Sequence, residues 1–213
     1  MAAERASPRR QLLLLLQHVS THDCQAAFFC SPMHERYLEA TLEMTMSCLQ
    51  GRILNSSSSL PSQASVPAGD SALILPLQRA ALVILTALSK AWLPPAAEGG
   101  MAPPLQLREA FRSFLFSSAL PALLLALSDP RNINARDANA QGVLAEAASL
   151  LWTVVSSYQA GEAELAVVQT AGAVWPAEAC NRLAQLLGGA RSAPLGTFRE
   201  SFKQMIRSLS GVK

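Results

Sequence analysis

Charge is what this chain has least of. Lys, Arg, Asp and Glu make up 15% of its 213 residues while 50% are hydrophobic, against about 25% charged residues in ordinary soluble domains. So little polar material covers a molecule of this size poorly, and some apolar surface is expected to be covered by another molecule. The net charge is only +2 and no Lys/Arg cluster is interleaved with aromatics, so a nucleic-acid partner is not expected.

Long uninterrupted apolar runs are also missing. A spanning helix needs about 18 or more such residues. Pro76, Gln78, Arg79 and Lys90 interrupt Ala72–Trp92, and Ser117, Ser118 and Pro121 interrupt Phe114–Leu127, so no transmembrane segment is expected. The leucines Leu12–Leu16 behind Arg9 and Arg10 imitate a signal peptide. They are fewer than the roughly 7–15 apolar residues of a real one and lack a small-residue cleavage site, so the run reads as helix.

Cysteine is sparse, four in all, and irregularly spaced, as expected of reduced thiols in the cytosol or nucleus. Cys24, Cys30 and Cys48 fall near His18, His22 and His34, but their spacing fits no zinc framework. They read as bystanders, and neither metal nor cofactor is expected. No nucleophile elbow, phosphate loop, dinucleotide fingerprint or HExxH occurs. Glu162 and Glu164, two apart, read as solvated first-turn acids, and Gly188-Gly189 reads as a helix stop. No enzyme activity is expected.

Alternation with period two is absent as well, which leaves helices. The stretch Asp137–Gln159 organises the rest: Val143, Leu144, Ala147, Leu150, Leu151, Val154, Val155 and Tyr158 recur at three- and four-residue steps, the period of an amphipathic helix. Trp152 lies off that stripe, so a second side of the helix is expected to pack too. Ser71–Trp92 is apolar nearly all round and belongs in an interior, beginning or bending at Pro76. Leu105–Leu127 carries Leu107, Phe111, Phe114 and Leu115 against a wet side of Arg108, Glu109 and Arg112, with a kink expected at Pro121. A capping box at Thr197 and Glu200 should start the last helix, whose stripe is Phe198, Phe202, Met205, Ile206 and Leu209. Residues 55–70 are rich in Ser, Pro and Gly, which divides the chain into N-terminal helices (1–54), a disordered linker (55–70) and a helical-repeat region (71–213).

Helix starts near Ser71, Leu105 and Asn139 are about 34 residues apart, in the range of helical solenoid repeats. The fold class expected is all-α, with antiparallel helix pairs stacked as a HEAT/armadillo-like solenoid fragment; a closed bundle is the alternative. The long apolar helices, the run LLWTVVSSYQ, the segment WPAEACNRLAQLL and the closing TFRESFKQMIRSL resemble the C-terminal HEAT-type helices of the importin-β superfamily of nuclear transport receptors, over residues 71–213. That resemblance implies a solenoid whose concave side holds cargo proteins, placed in cytoplasm and nucleus, and a chain that is a fragment or short product containing a terminal cap. The small GTPase Ran is bound mainly by N-terminal repeats of such receptors, so it is a partner only of a longer chain. No binding residue carries over.

The function expected is a helical-repeat protein-interaction module that binds cargo or other subunits. Trp152, Trp175, Phe198, Phe202 and Ile206 are its candidate interaction residues, although a Phe/Ile stripe of this kind is more often core. The alternative is a peripheral membrane-surface protein, in which Leu12–Leu16 and Phe114–Leu127 insert shallowly.

Overall fold

Apolar residues at helical spacing build eight helices among the described residues. They are α1 (Pro8–Thr21), α2 (Glu35–Leu49), α3 (Ser71–Trp92), α4 (Leu105–Ala126), α5 (Ala138–Ser157), α6 (Glu162–Gly172), α7 (Ala177–Gly188) and α8 (Leu195–Leu209). The structure, a computed structural model, describes residues 8–22, 29, 35–51, 71–94, 103–128, 137–157 and 161–209. No strand occurs among the described residues, and the all-α class read from the sequence holds.

The two most apolar helices lie at the centre. α3 packs along α5, α1 and α2 lie on α3, and α8 lies on α5. The other elements join beside them: α2 touches α4, the C-terminal half of α4 lies on α6, and α7 packs between α6 and α8. The contacts trace two rows, α1–α3–α5–α8 and α2–α4–α6–α7. Leu13, Leu16, Phe29, Leu38 and Leu49 share one buried cluster with α3 to α8, so the described helices of residues 1–54 belong to the same core as those of 71–213. The expected linker, residues 55–70, lies outside the described residues.

The rows show what the 34-residue spacing measures. Its three starts are those of α3, α4 and α5, which are single helices, and α4 belongs to the other row from α3 and α5. The regularity comes from similar connector lengths, not from a recurring helix pair.

Both interior prolines are absorbed rather than obeyed as stops. α3 starts at Ser71 and runs through an exposed Pro76. In α4 the pyrrolidine of Pro121 lacks an N–H and crowds the turn before it. The helix widens there into one π turn, Leu115–Ala119, in which the Leu120 N–H donates to Leu115 O. The ends are closed by side chains. Asp137 Oδ1 accepts from the Asn139 N–H at 2.8 Å and starts α5. Arg108 Nε donates to Trp92 O at 2.9 Å and its Nη2 donates to Pro94 O, closing the end of α3. The capping box expected at Thr197 does not form: α8 begins two residues earlier, the Phe198 N–H donates to Pro194 O at 3.1 Å, and Glu200 binds Lys203 instead. Proline fixes its own φ and sets the helix start ahead of the Thr/Glu pattern.

Gly142, on the side of α5 that meets α3, tests how tight that central seam is. A Cβ there would lie 3.2 Å from Arg79 Cδ. Arg79 is 58% exposed and its ion pair with Glu146 is 3.8 Å long, a contact worth about 0–1 kcal/mol at a surface. Gly costs about 0.5–1 kcal/mol relative to Ala inside a helix, so the propensity gain wins. Gly142→Ala is expected to raise the urea midpoint, by about 0.5 kcal/mol of stability; a lowered midpoint would show that Arg79 cannot swing aside.

Candidate protein-interaction surface

The five aromatic and aliphatic candidates all turn inward to some degree. Phe198, Phe202 and Ile206 are fully buried, and the two Phe rings stack at 6.3 Å between centroids. They are the seam by which α8 holds α5 and α7, so their stripe is spent on the core. Trp152, half-buried, donates from Nε1 to Ala190 O at 2.9 Å and to Ala193 O at 3.2 Å. The expected second side of α5 therefore packs on the connection between α7 and α8. Trp175 is 6% exposed, and its Nε1 donates to Leu124 O at 3.1 Å and Ser128 Oγ at 2.7 Å. Both tryptophans use their indole N–H to tie one connection to another element.

The surface that is open lies elsewhere. Large apolar side chains remain exposed on α1, where Leu12, Leu14 and Leu15 are 47%, 52% and 54% accessible. α1 buries Leu13, Leu16 and Ser20 against the molecule, while Leu12, Leu15 and the half-buried Val19 form a second flank, one residue round from the first. Among the described residues α1 thus has the two apolar sides of an interior helix with only one of them filled. At the opposite end most outer residues are polar: Glu178, Asn181, Arg182 and Gln185 on α7, and Glu200 and Gln204 on α8, are exposed, with Leu209, 38% accessible at the last residue of α8, the large apolar exception. The Cys/His constellation is only partly visible. Cys24, Cys30 and His34 lie outside the described residues, and His18 of α1 and His22 just past its end stack on each other at 3.9 Å.

A second open feature is a groove of about 290 Å³ between α4 and α6, lined by Glu109, Arg112, Ser113, Phe116, Glu162 and Ala166. Glu109 and Arg112, expected on the wet side of α4, and the first-turn acid Glu162 of α6 meet there. Arg112 lies 3.9 Å from each carboxylate, and the Glu109 and Glu162 side chains are 60% and 61% exposed. Glu164, expected to be solvated like Glu162, behaves otherwise: its Oε2 accepts from the Gly161 N–H at 2.9 Å and its Oε1 takes Arg191 Nε at 3.3 Å. No sequence signal pairs Glu109 with Glu162, because the groove exists only once α4 and α6 lie side by side.

Row α3–α5–α8 carries a polar network on its side chains. Glu146 sits 3.8 Å from Arg79 and 4.0 Å from Arg199, Arg199 Nε donates to Ser149 Oγ at 2.8 Å, and Arg207 Nη2 donates to Gln141 Oε1 at 2.7 Å. These contacts link side chains of the three helices. On the exposed side of α8 the hydrogen bond from Lys203 Nζ, then its charge and that of Arg207, hold the Glu200 carboxyl below its ordinary 4.5. A depressed folded-state value stabilises the fold above the ordinary range, and that contribution is lost as pH falls through the folded-state value. Lys203→Met is expected to raise the Glu200 titration, followed by carboxyl carbon NMR, toward the ordinary glutamate value; an unchanged midpoint would remove Lys203 as the cause.

Among the described residues no group of three or more His, Cys, Asp or Glu is placed to hold a metal ion. Ile74–Trp92 and Leu105–Ala126 reach the length and apolarity of a membrane-crossing helix, with 50% and 39% of those windows buried among the other helices. No protein family, curated protein or solved structure matches this chain.

Proposed function

We propose that this chain is a helical-repeat protein-interaction module whose open end, α1, takes a helix of a partner protein. The observation that carries the reading is the contrast between the ends: leucines half-exposed on α1, charged and amide side chains on the outside of α7 and α8. Stacked-helix proteins need a polar outer face on the terminal element and leave an apolar one where the next helix stacks. The two rows give each helix of one row a neighbour in the same row, the arrangement such a stack propagates. Read with the helix character that resembles importin-β receptors, the polar end is the cap of a HEAT-like stack and the partners are cargo proteins or other subunits, in cytoplasm and nucleus.

The same leucines also favour a second reading, shallow insertion into a membrane surface. The other segment expected to insert there, residues 114–127, has Leu125 as its one large apolar side chain in the open. One pair of substitutions separates the two. Leu12→Glu with Leu15→Glu is expected to leave the helical circular dichroism unchanged and to abolish crosslinking of α1 to a discrete protein partner in cell extract. Wild-type chain that crosslinks to no protein and floats with anionic phospholipid vesicles, with flotation lost in the double variant, would overturn the protein-partner reading in favour of the membrane one.

A further inference from the structure

The groove between α4 and α6 is a second place of contact, distinct from α1, and we infer that it takes a basic, amphipathic segment of a partner protein, with an Arg or Lys side chain between Glu109 and Glu162 and an apolar neighbour against Phe116 and Ala166. The inference does not depend on what docks on α1.

Charge complementarity selects the occupant. Two carboxylates and one guanidinium line the groove, so its own side chains leave it one negative charge in excess. Arg112 lies 3.9 Å from the nearer oxygen of each partner, beyond hydrogen-bonding distance. An ionised carboxylate offers about four lone-pair sites, and Glu109 and Glu162, each three-fifths exposed, therefore keep acceptor capacity for an incoming cation. Glu162 is held in place by position, since it stands in the first turn of α6, where the helix dipole favours a carboxylate.

The floor selects the shape. Phe116 belongs to the π turn that precedes Pro121 and, half-buried, lines the groove with Ala166. A long cationic side chain lays its methylenes on such a floor while its head stays wet, and an Arg head gains further from the ring face. The space, about 290 Å³, lies at the lower edge of ligand-site volumes, about 300–1,000 Å³. It holds one or two side chains and no large cofactor. Along α4, Leu105 sits one turn before Glu109 and is 69% exposed, so the strip extends beyond the groove as an apolar–acidic face of the kind that receives amphipathic segments.

The test uses the full chain and two probes, acetyl-Leu-Arg-Lys-Leu-amide and its neutral counterpart acetyl-Leu-Gln-Gln-Leu-amide, in an amide NMR titration. The basic peptide is expected to bind at about millimolar Kd or tighter and to shift the amides of Ser113, Phe116 and Ala166. Glu109→Gln with Glu162→Gln should weaken it about tenfold. Arg112→Gln should tighten it several-fold, because the internal cation competes for the same carboxylates; a merely structural Arg112 would give no tightening. The inference is overturned if the neutral peptide binds as well as the basic one, if shifts fall outside the groove, if the basic peptide does not bind up to millimolar concentration, or if arginine methyl ester alone binds as well as the peptide.

Discussion

Trp92→Ala is expected to cost about 3–5 kcal/mol, one of two large single-residue losses. The indole stands at the last turn of α3, 2% exposed, with Phe29 edge-on at 6.1 Å and Phe111 edge-on at 5.4 Å between centroids. Each such pair adds about 0.5–1.5 kcal/mol beyond the area it buries. The three rings come from three separate stretches of chain, so the cavity left by alanine cannot close by a shift of one helix. The carbonyl of Trp92 is also the acceptor of Arg108 Nε, and a backbone that relaxes into the cavity would loosen that cap as well. Urea unfolding gives the size directly. At about 2–4 °C per kcal/mol for a chain of this length, thermal unfolding should fall by about 10 °C. Trp92→Phe, which keeps an aromatic ring in the site, should lose far less, about 1–2 kcal/mol. A loss below about 1 kcal/mol for the alanine variant would mean that the cluster does not join the rows.

The helices were legible because their apolar residues recur with a single period, and the central one matches its reading closely, Ala138–Ser157 against an expected Asp137–Gln159. Asp137 opens that stretch in the sequence, but its role as the cap of α5 is seen only in the fold. What failed were local patterns that a neighbouring residue outcompetes: Thr197 and Glu200 have the spacing of a capping box, but Pro194 starts α8 first. Pro121 announces a disturbance in α4, and only the fold decides that it becomes a π turn rather than a kink or a break.

Long-range pairing was not legible at all. Arg108, Glu109 and Arg112 look alike on the sequence as the wet side of α4. One closes α3, and the other two face Glu162 of α6 across the groove. Periodicity reports which side of a helix is apolar and carries no information on which helix that side will meet. Phe198, Phe202 and Ile206 illustrate the same limit from the other direction: an apolar stripe is identical in sequence whether it fills a core or greets a partner, and burial decides for the core. The leucines of α1 were visible as a run, but only the fold shows that three of the five, Leu12, Leu14 and Leu15, stay outside.

Trp175 is where a structural role and an interaction role make opposite predictions. Its indole lies under the turn between α6 and α7 and reaches the C-terminal end of α4, donating to Leu124 O and Ser128 Oγ. Trp175→Ala is expected to cost about 3–5 kcal/mol, the second of the two large losses. Trp175→Phe separates the ring from its N–H. A buried acceptor left without any donor costs about 1–3 kcal/mol, but Leu124 O still receives Ser128 Oγ at 2.8 Å. The phenylalanine variant should therefore lose only about 1 kcal/mol from the hydrogen bonds. Hydrogen exchange should show the difference locally: amides at the end of α4 and the start of α7 exchange faster in the alanine variant and stay close to wild type in the phenylalanine one. If Trp175 instead makes its main contact with a partner, the alanine variant unfolds at the wild-type urea concentration and loses partner crosslinking, a result the burial of the indole rules against.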